Sequence, residues 1–487
     1  MKTLRTLLPA FLAAGLFAAI PAYSADLWNI YQLAQQNDPT FAQAQANYEA
    51  ALEDKPIARA GYLPNVVLTG SRNVTKSSGN VPLGYDPTTN SYIEGNGSFR
   101  SYTTAYGAQL TQPIFDWSAW QTIEQADASV AQAQATFVAA QQDLIVRTAT
   151  AYFNVITARD TLAADHAATL ANQKQLDQTK AKYQVGMSAI TDVQNAQAAF
   201  DQSVANEIAA QQQVINAEES LRAITGQPVG VLQEPITDMP LRSPNPDNTQ
   251  QWVDTALKQN PNLMAAQAAA KVASSNVSIK RSGHYPTLDL VLSHNGNNNN
   301  SVSDIQGMEF GQLQDITGNT AILQFNMPLF SGGGVYAQVT QAQRQYDAAQ
   351  DQVQLVTRQT VQQARTSYLG VLTGISQVRA LQQSVKSNET SLQAMETGMK
   401  VGTRTIVDVL LARQNLVTAQ TNYAQSRDTY LTSLLQLKQA AGVLSPQDLK
   451  QINAMLQVPT PMSSMDTQLE PSDAVTPGTP PPSGNDN

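Results

Sequence analysis

Two short stretches of the sequence place charged side chains beside a glycine turn. Residues 182–196 and 397–412 each read Val-Gly, a short gap and then Asp-Val, and each lies between two long Ala- and Gln-rich helical patterns. A glycine at such a junction supplies the positive φ that ends a helix. We therefore expect each stretch to form the tip of a helical hairpin, with Asp192 or Asp408 in the first turn of the returning helix.

Two kinds of chemistry are open to Asp408. Carboxylates from several copies facing one lumen would repel anions, attract cations and raise one another's pKa. Alternatively, Asp408 only caps its helix, because Thr405 and Asp408 form a capping-box-like pair and an acid suits a helix N-terminus. From the residues alone the cap is the stronger interpretation, and both roles can hold together.

Arg404 lies on the same tip and also has two interpretations. An arginine on one tip can reach the aspartate of an equivalent tip and bind it through two parallel hydrogen bonds. An exposed pair of this kind contributes only ~0–1 kcal/mol, so it would be a weak latch. The alternative is a solvated surface arginine.

The sequence carries no signal for an enzyme, a metal site or a cofactor. The histidines His166, His284 and His294 show no metal-ligand spacing. The glycine run 331–334 is not followed by the lysine of a phosphate-binding loop, and cysteine is absent. The net charge of -9 disfavours nucleic acid as a partner, because proteins that bind it are basic.

The two ends of the chain differ from its middle. Residues 1–24 read as a secretory signal peptide, with Lys2 and Arg5 ahead of an apolar run and small residues at the cleavage site. After residue 25 no apolar run approaches the ~20 residues of a membrane-spanning helix. Residues 458–487 are rich in Pro, Ser and Gly, which predicts a disordered tail.

The chain between these ends consists of two repeats of one unit. Asn37-Asp38-Pro39 matches Gln259-Asn260-Pro261, and Leu221 with Gly226 matches Leu437 with Gly442. The predicted repeats are 25–240 and 241–457. Each should contain a short helix, a helix of about 20 residues (40–60 or 262–282), a strand pair (64–112 or 286–328), a long helix (116–184 or 331–400) and a return helix (190–225 or 405–441).

Successive side chains in the strand pairs alternate in polarity, as they do in membrane-spanning β-strands. Stretches of about 10 residues have an apolar face and a small or polar face. The connections, residues 76–100 and 295–318, are rich in Gly, Asn and Ser and are expected to be exposed loops. Four strands cannot close a barrel, and open sheet edges are not satisfied in lipid, so several chains must share one barrel if these strands span the membrane.

Long helices follow the strands. Asp116 and Ser331 stand at matching positions, and both are good N-caps. Residues 117–183 contain no Gly or Pro, which allows a helix of about 100 Å. Apolar and alanine residues recur at coiled-coil spacing along it. Four aromatic residues lie at the strand-helix junction: Phe115, Trp117, Trp120 and Phe330. They either form a belt at the membrane interface or simply pack against the junction, and the sequence favours neither interpretation.

Longer motifs connect this pattern to a known family. Residues 175–179 (QLDQT), 189–196 (AITDVQNA), 286–290 (PTLDL) and 401–410 (VGTRTIVDVL) resemble the TolC family of outer-membrane efflux channels, over nearly the whole mature chain. The resemblance implies an internally duplicated α+β membrane protein. Four transmembrane β-strands per chain would complete a trimeric twelve-stranded barrel, continued by an antiparallel α-helical coiled-coil barrel in the periplasm.

The same resemblance implies function and partners. The homotrimer would sit in the outer membrane and extend into the periplasm. It would be a passive exit duct for drugs, bile salts and unfolded secreted proteins, used in multidrug efflux and type I secretion. A periplasmic adaptor and an inner-membrane pump or ABC secretion ATPase would engage it. No cofactor is implied.

The resemblance also assigns residues to a periplasmic gate. Asp408 is similar to the family's aspartate ring, and Arg404 to the residue that binds Asp192 and Thr191 at the closed mouth. Met399 stands where the enteric relatives have a gate tyrosine, and Leu411 where they have a second gate aspartate. We therefore expect a looser latch and one acid ring, with an apolar ring above it.

The Val-Gly pairs at the two tips have a further role by resemblance. In the family such tips meet the adaptor, which points to Val185 and Gly186 on the first tip and Val401 and Gly402 on the second. The glycines are turn residues on any interpretation.

Other classes of protein compete with the duct. A trimeric coiled-coil adhesin places its strands once, so the duplication speaks against it. A periplasmic adaptor has one helical hairpin, not two, and an enzyme is a more distant alternative.

Overall fold

The structure is a computed structural model that describes residues 26–236 and 239–458. The predicted signal peptide and all but the first residue of the predicted tail lie outside the described residues. The helices are α1 (Leu27–Asn37), α2 (Pro39–Leu52), α3 (Asp54–Ala60), α4 (Trp117–Gln184), α5 (Ile190–Thr225), α6 (Thr249–Gln259), α7 (Pro261–Arg281), α8 (Gly334–Lys400), α9 (Ile406–Ala440) and α10 (Pro446–Asn453). The strands are β1 (Asn65–Asp86), β2 (Ser91–Phe115), β3 (Glu234–Pro235), β4 (Thr287–Ile305), β5 (Met308–Asn326) and β6 (Leu456–Gln457).

The four long strands form one antiparallel sheet in the order β1-β2-β4-β5. The prediction that residues 76–100 and 295–318 are loops is wrong, because strand pairing continues through them. Lys76 pairs with Arg100, and Asn295 pairs with Gly318, and both hairpins close in short turns. Gly, Asn and Ser are common in loops, yet a ladder of backbone hydrogen bonds does not require particular side chains.

The long helices begin differently in the two copies. Asp116 is the N-cap of α4, where its carboxylate accepts hydrogen bonds from the backbone N–H groups of Ser118 and Ala119. Ser331 does not play this role for α8. Gly332 and Gly333 both have positive φ, so a turn intervenes and Gly333 becomes the N-cap.

The helix expected over residues 40–60 is broken into α2 and α3 around Glu53. Pro56 explains the break, since proline has no N–H to bond to the carbonyl four residues earlier and its ring crowds that carbonyl. The matching helix α7 lacks an internal proline and continues unbroken for 21 residues.

Shorter helices lie end to end beside the long ones. The 68-residue helix α4 packs against α5 along one part of its length and against α2, α3 and α7 along the other. Helix α8 likewise packs against α9 and α7. The main apolar core lies where α1, α10 and the small β3-β6 sheet meet the long helices. Its largest fully buried side chains include Tyr152, Phe153, Ile156, Tyr430, Leu431 and Leu435.

Aromatic rings gather where the strands give way to helices. Trp120 contacts Phe115 and Trp117 edge to face, with ring centroids 5.4 and 5.8 Å apart. Phe330 is 89% exposed, and it belongs to the second repeat, whereas the other three residues belong to the first. Within residues 26–236 and 239–458, no helix is long and apolar enough to cross a membrane.

Candidate functional site at the hairpin tips

The first tip joins α4 to α5. Gly186 has a φ of +74°, and its N–H donates to the carbonyl of Tyr183 at 3.0 Å. The N–H of Met187 donates to the carbonyl of Lys182 at 2.8 Å, which closes the helix. A side chain at Gly186 would meet nothing within 4 Å, so the left-handed backbone alone accounts for the glycine.

The second tip joins α8 to α9 in the same manner. Gly402 has a φ of +80°, again with open space around it. The N–H groups of Thr403 and Arg404 both donate to the carbonyl of Gly398, at 2.9 and 3.3 Å. The expectation that a glycine with positive φ ends each long helix is confirmed at both tips.

Each tip also carries an acid in the first turn of its return helix. The Asp408 carboxylate accepts hydrogen bonds from the Thr405 N–H and hydroxyl, both at 2.9 Å, and the Asp408 N–H donates to Thr405 Oγ1. Asp192 accepts from the Ser188 hydroxyl at 2.9 Å and from the Ala189 N–H at 3.3 Å. The capping role considered for Asp408 is therefore present within one chain.

The capping bonds affect the titration of Asp408. The backbone N–H and the hydroxyl of Thr405 hold the pKa of Asp408 below its ordinary value, and the nearby Arg404 charge acts in the same direction. An acid ring of several copies would raise this pKa. The two influences oppose each other, so the cap favours a charged ring at neutral pH.

Arg404 is exposed, and its stem lies over the bare backbone of Gly398, where a Cβ would be only 2.7 Å from Arg404 Cγ. Within the described part of one chain, Arg404 forms no ion pair with Asp192, and no side-chain hydrogen bond joins it to Thr191. The guanidinium of Arg404 is therefore exposed and is not bonded to Asp192 or Thr191 within the described part of the chain.

The two positions that depart from the enteric relatives have different surroundings. Met399 packs against a small apolar cluster that joins the hairpins, whereas Leu411 is 60% exposed. Val185 and Val401 at the tips are 69% and 71% exposed.

Sequence reasoning missed one polar group near the tips. Arg413 on α9 donates to the Asn172 side chain on α4 and to the Glu396 carboxylate on α8, both at 3.1 Å. A signal was present, because Arg413 stands between buried Val409 and Val417 on the inward side of its helix. Its partners lie in distant parts of the sequence and have no local pattern.

The duplicated hairpins, joined to a four-stranded sheet and ending in acid-bearing tips, form the architecture that the sequence motifs led us to expect of an outer-membrane channel protein. The outer membrane efflux protein family matches residues 30–227 and 252–443. The chain therefore belongs to that family and is a channel protein of the outer membrane.

Relatives and a solved structure agree with this assignment. The chain is 34% identical to the outer membrane protein TolC of Vibrio cholerae, covering 93% of this chain and 99% of that protein. It is 36% identical to TolC of Escherichia coli K12, covering 94% and 90%. The proteases secretion protein PrtF of Dickeya chrysanthemi is 28% identical, covering 90% and 92%. The CmeC outer membrane channel of Campylobacter jejuni shares the fold, with a TM-score of 0.67, 18% identity and coverage of 94% and 98%.

Proposed function

We propose that three copies of this chain form a passive exit duct, used both in efflux of small molecules and in type I secretion of proteins. The observation that carries the proposal is the matched pair of tips. Both repeats place a glycine turn and a first-turn acid at the end of a long hairpin, and both tips meet at one apolar cluster. No catalytic step is part of the proposal.

The sheet supports the sharing of one barrel among chains. Strands β1 and β5 are its outer strands, and each has one edge without a partner among residues 26–236 and 239–458. Such edges must be satisfied in lipid, and pairing with a neighbouring copy satisfies them.

The strands are also longer than the membrane requires. The 25 residues of β2 extend for about 80 Å at 3.3 Å per residue, more than the ~30 Å hydrocarbon core requires even when the strand is tilted. The barrel therefore continues outside the membrane.

The proposed gate is formed between chains. Arg404 of one copy would bind Asp192 and Thr191 of a neighbour, and the three Asp408 carboxylates would form an acid ring. The support is that Arg404 is exposed and that Asp192 keeps one carboxylate oxygen, Oδ1, without a hydrogen bond in the described chain. A charge-assisted bond between them is weak when exposed, so a partner protein can open it.

The proposed partners are a periplasmic adaptor and an inner-membrane pump or ABC secretion ATPase. The adaptor would contact the tips at Val185, Gly186, Val401 and Gly402. Exposed apolar side chains on a rigid turn suit a helical partner, because their burial on binding is favourable.

Leu411 offers a test of the single acid ring. The Leu411→Asp variant should increase selectivity for cations and strengthen channel block by divalent cations, since it adds three carboxylates one turn from Asp408. Reversal potentials in a salt gradient across a planar bilayer measure the selectivity. The control is Gln211→Asp, which puts the same charge on an exposed position of α5 in the other hairpin. If both variants behave like the wild type, the apolar ring at Leu411 has no part in the gate.

A further inference from the structure

Arg413 lies where the two hairpins of one chain meet. Its side chain is only 13% exposed. Its Nη1 group donates to Asn172 Oδ1 on α4 and its Nη2 group to Glu396 Oε1 on α8, each at 3.1 Å. One guanidinium on α9 therefore joins its own hairpin to the long helix of the other.

An apolar cluster lies directly beside this polar group. Leu176, Ala196 and Ile406 are buried together, and Phe200, Met399 and Leu410 pack against them. Each helix that contributes to the polar group also contributes to the cluster. Leu176, Met399 and Leu410 are about one turn nearer the tips than Asn172, Glu396 and Arg413. Arg413 is thus largely buried beside this cluster, whereas its partner Glu396 keeps 40% of its side chain exposed.

This environment distinguishes Arg413 from Arg404. The guanidinium of Arg404 is exposed, so its bonds compete with water. The bonds of Arg413 are partly shielded and already formed within one chain, and charge-assisted hydrogen bonds are strong in such surroundings.

We propose that Arg413 is a positioning residue that forms a second lock on the channel mouth, by holding α9 against α4 above the tips. The proposal rests on the proposed function, because it assumes that the mouth opens when the two hairpins separate. Met399 packs in the apolar cluster about one turn nearer the tip than Glu396.

A second contact limits how much of α9 is released when the lock is lost. Higher on the same helix, Arg427 binds Asp160 of α4 at 3.2 Å. With Arg413 removed, Arg427 still holds α9 in place, and only the part of α9 near the tip is released. The variants should therefore stay folded and trimeric while the mouth opens.

The test is single-channel recording of the purified protein in planar bilayers. Arg413→Gln and Asn172→Leu should each raise the ratio of open to closed time by about tenfold, because each removes the bond between α9 and α4. Arg413→Lys, which keeps a charged donor for Asn172, should stay near the wild-type value, and Glu396→Gln should have a smaller effect because its bond to Arg413 lies within one hairpin. The matched control is Arg222→Gln, which removes an arginine whose ion pair with Glu219 lies within the single helix α5.

The outcomes separate this inference from the proposed function. If Arg404→Ser opens the channel and Arg413→Gln and Asn172→Leu remain like the wild type, the second lock is wrong and the duct stands. If Glu396→Gln is as open as Asn172→Leu, the contact between α9 and α4 is not what holds the mouth, and the proposal is also wrong. If neither the wild type nor Arg404→Ser conducts at all, the duct itself is refuted.

Discussion

Replacing Gly442 by alanine should destabilise the folded chain by about 3 kcal/mol, the sum of left-handed strain and a backbone clash. Gly442 follows α9 with a φ of +76°, where an L side chain is strained. A Cβ there would overlap the carbonyl group of Gln259 and lie 2.7 Å from Asn260 Cα. These are main-chain atoms at the junction of α6 and α7, so they cannot turn aside as a side chain can.

The duplication supplies a matched control for this prediction. Gly226 holds the equivalent place in the first repeat, with a φ of +71°, and a Cβ there would lie 3.1 Å from the Cβ of Asn37. Gly226→Ala should therefore cost only the backbone strain, about 1 kcal/mol. Chemical unfolding followed by far-ultraviolet circular dichroism compares the two variants. Equal destabilisation would mean that the contact with Gln259 and Asn260 relaxes freely.

Replacing Asp428 by asparagine should stabilise the protein at pH 8 and leave its stability almost unchanged below about pH 4. Asp428 lies on α9 with 5% of its side chain exposed, and Thr157 of α4 donates to its Oδ2 at 2.7 Å. Within the described chain, Asp428 Oδ1 and Arg427 Nε have no hydrogen-bond partner and lie 3.9 Å apart. The charged carboxylate is therefore poorly compensated.

Burial raises the pKa of Asp428 to about 7, although Arg427 and the Thr157 hydroxyl lower it, and Asp160 and Glu234 raise it further. The pKa of the neighbouring Asp160 is also raised by burial, to about 6. Between about pH 4 and 7 the folded chain thus binds protons that the unfolded chain has released. The stability contributed by these protons is present at low pH and is lost as the pH rises through 7.

Thermal unfolding at a series of pH values measures this effect. The wild type should lose stability between about pH 4 and 7, and Asp428→Asn should remove most of that loss and unfold several degrees higher at pH 8. Asp254→Asn, an exposed change of equal charge on α6, should follow the wild type. A wild-type midpoint that is flat across this range would show that Asp428 stays charged without cost.

Local chemistry made three of the four ends of the long helices predictable. Asp116, Gly186 and Gly402 act on backbone groups within a few residues, so their effect can be seen in the sequence, whereas the N-cap expected at Ser331 was wrong. The strands were predicted too short, because the Gly- and Asn-rich parts of β1, β2, β4 and β5 carry no side-chain signal for pairing, and their pairing is fixed by the neighbouring strands. The break between α2 and α3 is different, because Pro56 is a local signal for it and the prediction of one continuous helix overlooked that proline.

In the candidate site, too, local features were predictable from the sequence and contacts between the repeats were not. The capping role of Asp408 was open to sequence reasoning because Thr405 is three residues away. The group formed by Arg413, Asn172 and Glu396 was not, since it joins residues from both repeats and depends on how two hairpins pack. The setting of Asp428 was hidden for the same reason, because its neighbours Thr157 and Asp160 belong to the other repeat.

Single-channel conductance in a planar bilayer, with the wild type beside Arg404→Ser, tests the exit duct and its latch together. We predict a small, cation-selective conductance for the wild type and a clearly larger one for the variant, because the latch between neighbouring tips is lost. Equal conductances would contradict a latch at Arg404. The absence of any channel from both proteins would contradict the exit duct itself.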